Sequence, residues 1–163
     1  MSSLRFQEEG ETSVKHSILI LIVLSSLLLT GCAKTSTHVA RTGPPLNDVE
    51  FAKEVFRLMA EGDETVMDMV DWEHLKMLGI DVGAMYPKSG DEARDRFARG
   101  FLKGYSNSFK SKGGSADNVS NWREQSRDAS NTIVTADNAG GQHLAMTVTH
   151  IDGQQKVSTL ELK

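Results

Sequence analysis

A few residues in this chain have the types and spacing that chemistry requires. Cys32 is the sole cysteine, so no intramolecular disulfide can form and its sulfur is free to act as a nucleophile. Asp71 and His74 stand three apart, a spacing that brings a carboxylate beside an imidazole on a helix and suggests an acid–base pair. The plainer reading is a capping Asp next to a partly exposed His, and it is preferred because the apolar phase breaks at Asp71. His143 and His150 lie seven apart on an expected strand and so point to opposite faces, which excludes a simple two-His metal site. Tyr86 and His143 complete the side chains, with Asp71 and His74, that a pocket could use. Phosphate loops, zinc-ligand spacing and Gly-x-Ser-x-Gly are all missing, so no cofactor and no metal is expected.

Cys32 ends the strongest apolar run in the chain, residues 18–29, twelve positions without a charge. As a helix this run spans only ~18 Å, short of a ~30 Å hydrocarbon core. A permanent membrane span is therefore not expected, and a secretory h-region is. Leu29-Thr30-Gly31-Cys32 at its exit resembles the lipobox of bacterial lipoprotein signal peptides, with Thr30 an unusual occupant of the second position. The resemblance implies cleavage between Gly31 and Cys32 and acylation of Cys32, with palmitate-type chains holding the protein on a membrane. Lys15 and His16 precede the apolar run, although Glu8, Glu9 and Glu11 leave the n-region without a clear positive charge.

Residues 1–31 thus read as a signal peptide and 32–46 as a flexible Thr-, Ser-, Gly- and Pro-containing tether. Residues 47–163 read as a single domain. From Cys32 onward, 16 Lys and Arg stand against 19 Asp and Glu, a balance that gives no electrostatic case for nucleic acid. Ala33 rather than Asp follows Cys32, which implies the periplasmic side of the outer membrane if the source is Gram-negative.

Three helical stretches are expected. Asn47 with Glu50 forms a capping box, Ala52, Val55, Phe56 and Met59 share one face, and Gly62 stops the helix. A second stretch runs from Glu64 to Leu78 in two pieces, with Asp71 capping the later one. Ser89 with Glu92 opens a long third helix whose Phe97, Phe101, Tyr105 and Phe109 step along one side. Gly100 and Gly104 interrupt it, as for close approach to a sheet or room for a pocket. Beyond Gly113-Gly114 the pattern changes to strands at Val119–Arg127, 132–136, 142–151 and Gln154–Leu162. Asp152-Gly153 has the composition of a type I′ hairpin turn, which places Val148 opposite Val157.

This order of elements, with Ala60-Glu61-Gly62-Asp63, Val70-Asp71-Trp72 and the Phe-rich helix, is similar to small bacterial lipoproteins of the nuclear transport factor 2-like (cystatin-like) superfamily. The likeness spans residues 47–162. It implies an α+β fold of three N-terminal helices packed on a curved, cone-like antiparallel sheet of about four strands. That superfamily holds isomerases and dehydratases beside many non-catalytic binders, and fold alone does not choose between them. None of its catalytic residues can be matched here one by one. A binder is favoured over an enzyme: a membrane-anchored envelope lipoprotein whose domain takes a small apolar ligand or an envelope protein. The alternatives are a small isomerase, dehydratase or hydrolase using Asp71, His74, Tyr86 or His143, and a purely structural envelope protein.

Overall fold

The computed structural model describes residues 46–163. The expected signal peptide, the expected lipobox with Gly31 and Cys32, and nearly all of the expected tether lie outside the described residues.

Helix α1 (Asp48–Glu61) forms where its caps demand. The Glu50 N–H donates to Asn47 Oδ1 at 2.9 Å, and Gly62 closes the helix in the left-handed region at φ 77°. Its inward face, Ala52, Val55, Phe56 and Met59, is buried, with Val55 and Met59 wholly so. A short 3₁₀ segment (Glu64–Met69) follows, capped by Asp63 through the Thr65 N–H.

The expected second helix beyond Asp71 is absent. Residues 71–75 instead form a turn, followed by strand β1 (Lys76–Met77) and strand β2 (Ile80–Asp81). Trp72 and Leu75 are buried, but from a turn rather than a helix face. Leu78 and Gly79, both at positive φ, make the tight connection between the two strands. Two bonds to a distant strand hold this geometry, Asp71 N–H to Val157 O at 2.9 Å and Leu78 N–H to Leu160 O at 2.8 Å. A single turn, α2 (Val82–Met85), then leads to the long helix α3 (Asp91–Ser111). Its N-cap is Gly90, which offers no side chain, so the expected Ser89 capping box does not form. Arg94 instead ties the approach, donating to the carbonyls of Pro87 and Lys88.

Another 3₁₀ turn (Ala116–Asn118) opens a meander of β3 (Val119–Arg127), β4 (Asn131–Asn138), β5 (His143–Ile151) and β6 (Gln154–Leu162). The β5–β6 hairpin turns on Asp152 and Gly153, at φ 49° and 77°, and pairs Val148 with Val157. The sheet order is β2-β1-β6-β5-β4-β3, antiparallel except for the parallel β1–β6 pair. Helix α1 lies against β3, β4, β5 and β6, and α3 packs on α1 and the first 3₁₀ segment. Leu144, Met146 and Val148 of β5 face this core, while Thr147 and Thr149 on the other side are only half-buried.

The expected arrangement of three N-terminal helices on a cone-like antiparallel sheet of about four strands is therefore corrected. The sheet has six strands and is mixed, and helices α2 and α3 follow its first strands rather than preceding the sheet. The physical reason is that β1 and β2 have two residues each, too short to show alternation. Their pairing depends on β6, about eighty positions away in sequence. Of the two uses expected of Gly100 and Gly104, close approach is not met, whereas Gly100 does line a second, polar pocket beside Ser106 and Lys110. A Cβ at either would meet nothing within 4 Å, so neither serves a close approach.

The two sheet edges are blunted in different ways. Strand β2 is simply short, and β3 carries an extra residue against β4 at two places, one of them at Asn121 with φ 54°. Bulges of this kind bend an edge out of reach of further strands.

Candidate functional site

Tyr105 and Phe109 stand four apart on α3 and their rings stack at 6.0 Å between centroids. Phe109 also meets Phe56 of α1 edge-on at 5.8 Å, and Trp122 of β3 meets Phe56 at 5.8 Å from a third direction. Aromatic pairs at such distances add to the stabilisation from burial alone. At the end of α3 the N–H groups of Gly113 and Gly114 take the carbonyls of Lys110 and Phe109. A Cβ at Gly114 would come within 2.7 Å of the Phe109 ring and carbonyl, so only glycine lets the chain fold back over that ring.

This fold-back brings the start of β3 beside the β4–β5 turn, where Ala139 N–H donates to Asn118 O at 3.0 Å. Asn138 shapes that turn, its Oδ1 accepting from the Gly140 and Gln142 N–H groups, both at 2.9 Å. Between these loops, α3 and the sheet lies a cavity of about 480 Å³. Phe56, Tyr105, Phe109, Leu144 and Leu160 form its walls, and Leu78 and Leu162 stand about half exposed at its mouth. Its volume falls within the ~300–1,000 Å³ typical of small-molecule sites.

The polar side chains of the lining are hydroxyls, amides and one ammonium. Burial pushes the Tyr105 phenol up to about 12, so it stays a neutral donor. Among the described residues Lys112 is the only charged member of the lining, and no Asp, Glu, His or Cys joins it.

The residues singled out from the sequence lie elsewhere. Asp71 and His74 do pair, with Nδ1 to Oδ2 at 2.9 Å, but in the 71–75 turn and with the imidazole largely exposed. Tyr86 follows α2, packing edge-on to Phe97 at 5.7 Å beneath the Arg94 guanidinium. His143 pairs with Asp137 at 2.7 Å on the surface beside the β4–β5 turn. Hydrogen bonds from Arg123, His143 and Asn121 hold the Asp137 carboxyl down at about 2. None of the four lines the cavity, and no group of three or more His, Cys, Asp or Glu among the described residues is placed to hold a metal. Tyr105 and Phe109 were legible only as an apolar stripe, and Lys112 carried no signal at all.

A second polar cluster sits at the far end of the domain. The Asp48 carboxylate, 3% exposed, lies at the N-terminus of α1. It accepts from Thr132 Oγ1 at 2.6 Å and Gln155 Nε2 at 2.7 Å, with Arg127 Nη2 at 2.9 Å and His150 Nε2 at 3.1 Å. Burial alone would raise its pKa, but hydrogen bonds from Thr132, Gln155 and His150 outweigh it and hold the carboxyl below its ordinary value. Gln155 also donates to Leu46 O at 3.0 Å, so this cluster fixes the point where the preceding chain enters the domain. The cavity lies toward the other end of β6, where Leu162 is seven residues from Gln155, about 23 Å along a strand at ~3.3 Å per residue.

No helix among the described residues is long and apolar enough to cross a membrane. The chain matches no protein-family model, no curated protein and no solved structure.

Proposed function

We propose that the protein is a lipid-anchored envelope protein whose domain is a binding module for a small apolar molecule. The observation that carries the binding reading is the cavity of about 480 Å³, walled by aromatic and aliphatic side chains. Its lining without carboxylate or imidazole favours holding a ligand over transforming one. The anchoring reading rests on Leu29-Thr30-Gly31-Cys32 behind an apolar run too short to span a bilayer.

Each half has its own test. Mass spectrometry of the cell-purified protein should find a chain beginning at an acylated Cys32, and an unmodified protein that keeps residues 1–31 overturns the anchor. For the cavity, the neutral dye Nile red should brighten on binding the purified protein. Ser108, exposed on α3 at the cavity wall, is the place to block it. Ser108→Trp should weaken dye binding at least tenfold while shifting stability by no more than about 0.5 kcal/mol, as for other surface changes. Undiminished binding in a folded Ser108→Trp protein means that the cavity is not the site.

A further inference from the structure

We infer that the cavity takes a single-chain amphiphile with a carboxylate head, a fatty acid, its chain among the aromatic walls and its head beside Lys112. This rests on the binding reading above and adds the ligand's chemistry. The polar side chains of the lining divide into two groups. Ser115, Asn138 and Gln142 use their acceptor oxygens within their own turns, on backbone N–H groups or on each other, which leaves the Ser115 hydroxyl and the Gln142 amide still able to donate. The side chains of Tyr105, Ser108, Lys112 and Asn118 have no hydrogen-bond or ion-pair partner among the described residues. All four can donate, and the lining holds no acid to compete for them. The free polar capacity of the site is thus an ammonium with neutral donors around it, which suits an acceptor-rich monoanion. Phosphate sites favour several cations or the bidentate fork of Arg, and the lining offers neither.

One effect opposes an anion here. The C-terminus of α3 points its negative end at this region, equivalent to about half an elementary charge. The full charge on Lys112 exceeds it, and the Phe109 and Lys110 carbonyls are already taken by Gly114 and Gly113. The apolar part is set by the walls. A space of about 480 Å³ opening past Leu78 and Leu162 suits one aliphatic chain.

The test uses the full-length protein in phosphatidylcholine vesicles with a dodecanoic acid that carries a photoactivatable diazirine. Labelling should fall on peptides containing Tyr105, Phe109 or Leu162. Unlabelled dodecanoate should displace the probe at least tenfold better than dodecanol at equal membrane content. Lys112→Gln should reduce that preference at least fivefold, and Lys112→Arg, which keeps the charge, should retain it. Equal competition by acid and alcohol, or a preference that survives Lys112→Gln, overturns the carboxylate head and leaves the apolar cavity standing. Stronger displacement by a lysophospholipid than by dodecanoate overturns it in favour of a phosphate head. Absence of label from the cavity peptides overturns both readings.

Discussion

Asp48→Ala should destabilise the domain by about 3 kcal/mol, the lower end of the range for removing one partner of a buried ion pair. The carboxylate is buried and gathers donors from all four strands of the meander: Arg127 of β3, Thr132 of β4, His150 of β5 and Gln155 of β6. Its loss strands the wholly buried Thr132 hydroxyl without its acceptor. It also removes an anion from the positive end of α1. Arg127 and His150 are partly exposed and can turn to water, which is why the lower end applies. Urea unfolding should show a lower midpoint with an unchanged slope. Loss of less than about 1 kcal/mol would mean that the cluster contributes no more than a surface pair.

The acid limb of the stability profile follows from the same carboxylate. Its folded pKa is lowered, so the unfolded chain binds the proton first as pH falls. The contribution is complete above the unfolded value of about 3.9 and is lost as pH falls through the folded value. Asp48→Asn should therefore flatten the acid limb. Some slope should remain, because Asp63, Asp128 and Asp137 are lowered as well.

How much of this was legible from the sequence depends on how local its cause is. The bounds of α1 are set by Asn47 and Gly62, and the β5–β6 turn by Asp152 and Gly153, each acting within a few residues. Those positions read correctly. The stretch from Asp71 to Leu78 read as a helix capped by Asp71, yet a turn buries Trp72 and Leu75, whose spacing of three suits either form. What decides it is the bonding of Asp71 and Leu78 to β6, which no local pattern carries. Asp48 stands in the first turn of α1, where a negative charge is favourable, but its four partners come from elements that the sequence does not align. The cavity was hidden for the same reason. Its aromatic wall is one helix stripe, while Lys112, Asn118 and Leu162 reach it from separate loops and a strand end.

Phe56→Ala should cost about 3–5 kcal/mol, the range for truncating a core phenylalanine. Phe56 is 4% exposed and sits where Phe109 and Trp122 converge, so the vacated space has rigid rings on two sides. The cost rises with whatever part of that space the two rings do not fill. Phe101 provides the comparison. It belongs to the same helix stripe as Phe109 and contacts Trp72 and Phe97, but it is only half-buried. Phe101→Ala should accordingly cost clearly less, on the order of half as much, because less of the ring leaves water on folding. Phe56 also walls the ligand cavity, so its truncation enlarges the space as well as loosening the core. A protein with Phe56→Ala, held below its lowered unfolding temperature, should bind bulkier apolar dyes than the parent does. Equal losses for Phe56 and Phe101 in urea unfolding would mean that the packing of α1 against Phe109 and Trp122 is not what holds this end of the domain together.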